Sequence, residues 1–337
     1  MKSPALLGSF VVLLWCACGP SSLEGSIGTS QQEVIGGDID VDGGHPEVIA
    51  ILVDPPLSTG VGFCSGFLIS PNLVMTARHC VSDMDQNSLI CADEVVSGTQ
   101  YTATRALAPA AAARFGVTTE ANLNNLTSPS QLLSVAAVHV PPSVAGLPNC
   151  GNDVALLELT TPIVGVVPLG LRVDPPVMTE TFTAVGYGSD GANLGSDGLR
   201  RSRSGLTLFA VGEVRVTGRT ASTANDWVAD LGPCGGDSGS PALDSNGAVI
   251  GVMSRGNPSV CRQMIYTQVS PFHAWARETV LDAAGRAGIP VASWARPPIT
   301  LPLARTDGPA AGCSSVPGAA LLAMLTTLRR RRRVQRR

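Results

Sequence analysis

Gly66-Phe67-Leu68-Ile69-Ser70-Pro71-Asn72-Leu73-Val74-Met75-Thr76-Ala77-Arg78-His79-Cys80 is an apolar stretch broken by Pro and Asn that runs straight into a histidine and a cysteine. Runs of this kind recur from residue 47 onward. Val48–Val53, Val154–Leu157, Phe182–Val185 and Ala248–Val252 are each of strand length and bounded by Gly, Pro, Asn or Asp. Regular short strands with such punctuation indicate an all-β sandwich or barrel. One amphipathic helix is expected near 271–285, opened by Pro271, with Phe272, Trp275, Val280 and Leu281 on its buried face. The Ala-rich stretch 106–115 is a second helical candidate, weakened by Pro109. No internal repeat of fixed period is visible.

Composition supports a folded body. The chain has 337 residues, of which 44% are hydrophobic and 15% charged. That is enough to bury a large core. Gly (37) and Pro (25) punctuate it throughout. The formal charge of −3 hides an asymmetry. Lys2 and seven arginines (329–333, 336, 337) lie at the extreme ends, and without them 15 basic residues face 26 acidic ones. Such a body is not built to bind nucleic acid.

The ends resemble addresses. Residues 1–18 follow the layout of a secretory signal peptide: Lys2, an apolar run from Ala5 to Trp15, then Cys16-Ala17-Cys18. Cys18 also has some likeness to a lipoprotein acceptor, although Trp15 and Cys16 fit that pattern poorly. Residues 19–33 are Gly/Ser-rich and read as a propeptide. Residues 286–312 are Pro-rich and read as a linker. Within 313–337, Cys313 precedes an apolar run (Val316–Leu328) and an arginine cluster. A helix over that run is about 20 Å long, short of a ~30 Å hydrocarbon core. The order Cys, apolar run, Arg cluster resembles the C-terminal sorting tails of myxobacterial surface proteins. That resemblance implies export, processing by a signal peptidase and a sorting enzyme, and anchoring at the cell surface through Cys313. Membrane contact is then confined to the ends.

Nine cysteines are present. Six of them, Cys64, Cys80, Cys91, Cys150, Cys234 and Cys261, lie in the body, an even number that suggests three disulfides. Six cysteines allow 15 pairings. No His/Cys spacing suits zinc, and no acidic loop suits calcium, so neither a metal nor another cofactor is expected.

Chemistry concentrates in three segments: Thr76–Cys80, Gly151-Asn152-Asp153-Val154-Ala155-Leu156-Leu157, and Cys234-Gly235-Gly236-Asp237-Ser238-Gly239-Ser240-Pro241. A serine hydroxyl needs a base to become a nucleophile, and the base needs a fixed tautomer and a partner for its positive charge. His79 and Asp153 can supply these to Ser238. Glycines around Ser238 let the Gly236 and Ser238 amides converge on one oxyanion.

At these residues the chain resembles the chymotrypsin/trypsin-like serine protease family, over about 34–285. Val34-Ile35-Gly36-Gly37 resembles that family's mature N-terminus, and Gly186-Tyr187-Gly188 resembles a landmark with Trp at its centre. The resemblance implies two six-stranded antiparallel Greek-key barrels with a C-terminal helix and the site in the cleft between the barrels. It implies His79 as general base, Asp153 as its orienter, Ser238 as nucleophile, and Ser254 as support for the Asp and for the substrate backbone. It pairs Cys64 with Cys80 and Cys234 with Cys261, which leaves Cys91 and Cys150 to each other. His79 and Asp153 stand farther apart than in compact members, so a long loop or lobe is expected around 84–132. The resemblance also implies a zymogen: an activating protease cuts after Glu33, and the new Val34 amino group pairs with Asp237. Protein or peptide is the implied substrate.

Departures matter for specificity. Gly232 stands where trypsin-like members carry an Asp, so preference for Lys or Arg is not expected. Gly256 leaves one pocket wall open and Met264 is expected at the opposite wall, giving a pocket for small or apolar side chains. Arg78 replaces a small residue, and its side chain is expected to point to solvent. Two other readings compete. An α/β-hydrolase needs Gly-x-Ser-x-Gly, and Ser240 breaks that motif. A catalytically silent, protease-like surface binding protein keeps the same motifs without turnover.

Overall fold

The computed structural model describes residues 37–40, 43–53, 63–83, 105–106, 109–144, 150–189, 196–216, 220–257 and 261–297. Those from 37 to 296 fall within one compact unit. The expectations on Cys16, Cys18, Glu33, Val34, Cys91, Cys313, the signal region and the tail lie outside the described residues.

Strands β1 (Val48–Val53), β2 (Phe63–Ser70), β3 (Leu73–Thr76), β4 (Phe115–Thr118), β5 (Leu133–His139) and β6 (Ala155–Leu159) close into a barrel in the order β1-β2-β3-β6-β5-β4. All pairs are antiparallel. Strands β1, β2 and β3 read as largely apolar runs because both of their faces are covered. Val48, Ile49, Ala50, Ile51, Phe67, Leu68, Ile69 and Val74 are fully buried. Each large aliphatic contributes about 1.5–3 kcal/mol relative to exposure.

Strands β7 (Thr181–Gly186), β8 (Arg201–Val211), β9 (Asp226–Leu231), β10 (Pro241–Leu243), β11 (Val249–Asn257) and β12 (Arg262–Gln268) close a second barrel, in the order β7-β8-β9-β12-β11-β10. The ring order is the same in both. The chain therefore carries a duplicated architecture with no sequence period to betray it. A short strand, Asp38–Ile39, adds to the outer edge of β8. The second core is aromatic: Trp227 stacks on Tyr266 with centroids 4.1 Å apart, and Phe182 meets both edge-on.

Between the barrels, the linking segment lies along β2, with the Leu169 N–H donating to Leu68 O at 2.8 Å. Helix α1 (His273–Ala287) follows the second barrel, after a 3-10 turn over Ser270–Phe272. It buries Ala276, Val280, Ala283 and Ala284, and Phe272 is buried just ahead of it. Trp275 and Leu281 are only half-buried. Gly288 caps the helix in the left-handed conformation (φ 64°).

The structure corrects three expectations. Residues just beyond the helix are packed rather than linker-like: the Trp294 ring N–H donates to Ile69 O at 2.7 Å and Ala295 is buried. The Ala-rich stretch forms a 3-10 turn, Pro109–Arg114, because Pro109 and the nearby β4 leave no room for a longer helix. The region expected to form one long loop contains β4 itself, an integral barrel strand, and residues 84–104 lie outside the described residues.

Candidate active site

His79 leaves β3 on a single 3-10 turn, Arg78–Val81. Asp153 holds it at two points. Its Oδ1 accepts the His79 backbone N–H at 2.8 Å, and its Oδ2 meets the ring Nδ1 at 2.7 Å. The Asp153 carboxylate is fully buried. Ser254, on β11, donates its hydroxyl to the same Oδ2 at 2.6 Å. Burial pushes the Asp153 carboxyl upward. The His79 charge and the hydrogen bonds from His79 and Ser254 outweigh it and hold the group below its ordinary value. Asp153 is therefore an anion at neutral pH, aimed at one ring nitrogen.

The loop carrying Ser238 is bound on every side. Cys234–Cys261 ties its start to β12, and Cys64–Cys80 ties β2 to the turn of His79. Cys150 is also disulfide-bonded. Its expected partner, Cys91, lies outside the described residues. Cys64, His79 and Cys80 cluster closely enough to suggest a metal site. Both sulfurs are committed to the disulfide, so the cluster offers no thiolate pair. Within the loop the N–H groups of Asp237, Gly239 and Ser240 donate to Cys234, Met253 and Asp237 carbonyls. Gly236 and Ser238, the two amides expected at an oxyanion, alternate with them. The Ser238 carbonyl accepts the Ser65 N–H at 2.8 Å and lies 3.6 Å from Cys80 Sγ. The serine backbone thus sits against the residue that follows His79.

Asp237 is fully buried. Its oxygens accept the Gly188 N–H at 2.7 Å and the Cys234 N–H at 2.8 Å. Burial dominates, and its carboxyl is pushed up to about 6 despite these bonds and the charge of Arg201. A Cβ on Gly188 would overlap this carboxylate, so only glycine lets the Gly186-Tyr187-Gly188 strand end pass so close.

The pocket residues also come together. Gly232 is buried with φ 153°, and a Cβ there would stand 3.6 Å from Leu206 Cδ1 and 3.7 Å from Tyr266 Oη. Gly256 faces Met264, whose Sδ would lie 2.5 Å from a Cβ at that position. Met264 therefore fills the space left by the missing side chain, which corrects two expectations: Gly256 does not leave an open wall, and Met264 stands beside it rather than opposite.

A family model described as trypsin matches residues 34–276. The chain belongs to the trypsin family. It is 25% identical to human granzyme M over 286 residues, covering 79% of this chain and 95% of the relative. It is 26% identical to a trypsin of Phaedon cochleariae over 271 residues, covering 72% of this chain and 88% of the relative.

Within that family frame, some residues at this site were not anticipated. Arg78 is buried (1% exposed) rather than solvent-directed, because a tight 3-10 turn, not an open loop, carries it inward. Ser65 bridges the barrels: its hydroxyl donates to Gly236 O at 3.1 Å and accepts the Tyr187 N–H at 3.1 Å. Asp226 and Arg255 form a buried ion pair at 2.7 Å behind Ser254. The only hint of that pair in the sequence is an arginine just past an apolar run.

Gly188→Ala is expected to lower stability by about 1–3 kcal/mol, as overpacking does. Gly235→Ala, where a Cβ meets nothing within 4 Å, is the control and should be near neutral. Denaturant unfolding of the two variants checks the difference.

Proposed function

We propose that the protein is a serine endopeptidase that works through an acyl-enzyme. His79 takes the Ser238 hydroxyl proton as Oγ attacks the peptide carbonyl. Asp153 holds the ring with Nδ1 protonated, so Nε2 is free to act as base, and it stabilises the imidazolium that forms. The Gly236 and Ser238 amides receive the oxyanion. His79 then protonates the leaving amine, and water, deprotonated by His79, releases the acid. The observation that carries this reading is the double grip of Asp153 on His79, 2.8 Å to its N–H and 2.7 Å to its ring, with Ser254 behind.

The zymogen reading rests on Asp237. A carboxylate buried on two backbone N–H groups gains from a cation. The amino group released by cleavage after Glu33 is that cation, and pairing would order the loop that carries Gly236 and Ser238. Export and anchoring through Cys313 rest on the sequence of the two ends. The bare floor at Gly232 and the Met264 side chain against Gly256 support small or apolar side chains at the cleaved position.

Fluorophosphonate labelling tests the activity. Labelling is expected only after cleavage at Glu33–Val34, and is abolished by Ser238→Ala. A folded chain with a verified Val34 terminus that takes no label would instead make the silent binding-protein reading the leading one. A peptide library given to the cleaved protein should be cut after small apolar residues. Preference for Lys or Arg would refute the pocket assignment.

Asp237 also gives a pH prediction for the uncleaved chain. Its folded value, about 6, lies above the ordinary 3.8. The folded state therefore holds more protons than the unfolded one between these values. The stability this group contributes is fully present below about pH 4 and is lost as pH rises through about 6, by up to about 3 kcal/mol. Urea midpoints at pH 4.5 and 7 should show that loss in the wild type and little of it in Asp237→Asn.

A further inference from the structure

Arg255 sits between two residues of the site, Ser254 and Gly256, on β11. Pairing with β12 slips in register on both sides of it, between Met253 and Arg255 and again between Arg255 and Asn257. The side chain turns into the protein and is 5% exposed. Among the contacts of its guanidinium, Nη2 donates to Asp226 Oδ2 at 2.7 Å and Nη1 donates to Ser254 Oγ at 3.2 Å. Asp226, at the start of β9, is fully buried and also accepts from the Thr223 N–H, the Thr223 hydroxyl and the Thr267 hydroxyl. Thr223 in turn packs on Gly151, two residues before Asp153, so closely that a Cβ there would overlap its Oγ1.

A guanidinium has donors only. Where Nη1 donates to Ser254 Oγ, the single Ser254 proton points elsewhere, and the acceptor within reach is Asp153 Oδ2 at 2.6 Å. We infer that Arg255 is a positioning residue for His79, acting through the Ser254 hydroxyl on Asp153 and neutralised from behind by Asp226. The inference rests on the reading of His79 and Asp153 as base and orienter. Its consequence is a line of alternating charge, Asp226, Arg255, Asp153, His79, drawn from two strands, one loop and the 3-10 turn of His79. A pair of this kind is costly to bury and contributes little net stability. Its effect falls on the direction of one proton and on the field at one imidazole.

Charged groups disposed about His79 on the described elements are Asp153, Arg78 on the same turn, the Arg255–Asp226 pair, and Asp237 beside Ser238. Removing Arg255 alone takes away a cation and leaves an anion, which favours imidazolium. Removing Asp226 alone does the reverse. A merely structural role does not produce opposite signs.

The test uses the full chain carrying Ser238→Ala, so that no activity is needed, with histidine ring resonances followed by NMR across pH. Only four histidines need assignment. Arg255→Gln should raise the His79 midpoint and Asp226→Asn should lower it, each by about half a unit. Shifts of the same sign, or none in folded variants, overturn the inference. Arg255→Gln/Asp226→Asn removes both charges and serves where a single variant fails to fold. In it the His79 Nδ1 proton should exchange with water about ten-fold faster, and an unchanged rate overturns the inference. With Ser238 intact, failure of the wild type cleaved at Glu33–Val34 to take a fluorophosphonate would refute the peptidase reading and leave these histidine results standing.

Discussion

A carboxylate wholly out of water has to be met by donors from more than one direction, and Asp153 is met from both barrels. His79 supplies two N–H groups from the first barrel, and Ser254 supplies a hydroxyl from the second. A buried anion left without one of these donors would cost several kcal/mol. The two barrels are therefore held in a relation that satisfies Asp153, and the cleft between them inherits its shape from that requirement. Ser65 adds a second set of bonds across the same seam. Its N–H and hydroxyl donate to the carbonyls of Ser238 and Gly236, and its own carbonyl accepts the Thr76 hydroxyl at 2.8 Å. The loop of Ser238 is thereby built on β2 as much as on its own barrel.

The site lies at the seam because regular barrel interiors have no room for it. Inside each barrel the residues are apolar and close-packed, and unpaired polar groups there would be costly. Loops at the seam have backbone donors to offer, and glycine lets them approach one another. Gly239, with φ 86°, lies against Thr76 and Ala77 where any side chain would collide. The positive φ and the close approach demand the same residue, so the Gly-Asp-Ser-Gly turn answers both at once.

This explains which parts could be read from sequence. Strand-length runs such as Val48–Val53 and Ala248–Val252 are legible because burial on both faces leaves an unbroken apolar record. The segments around His79, Asp153 and Ser238 are legible because histidine, aspartate and serine follow in that order, two of them beside glycines. Ring order is not legible, since strands pair by register and burial rather than by side-chain identity. The Asp226–Arg255 pair is not legible either. Its members are 29 residues apart, and only the pairing of β9 with β12 and of β12 with β11 brings them together. Trp294 escaped notice for a related reason: a Pro-rich context reads as linker until a carbonyl 225 residues away accepts its N–H.

A chain with only 15% charged residues has nonetheless placed several of them in its interior. Asp40 and Arg200 pair at 2.7 Å beneath the surface, with Arg200 also donating to Val48 O, Thr119 O and the Tyr187 hydroxyl. Asp226 and Arg255 pair behind Ser254, and Asp237 lies against Gly188. Hydrophobic burial would hold the barrels more cheaply than these groups do. Their common property is location: each lies where a loop or the entering chain meets a barrel strand or a neighbouring loop. Asp40 fastens the chain entering the first barrel to β8, Asp226 braces the loop of Asp153, and Asp237 sets the loop of Ser238. Apolar contacts tolerate small slips, whereas a buried carboxylate does not, because displacing it strands a charge. Loops held this way keep a single geometry, which is what the proposed proton transfer between Ser238 and His79 requires.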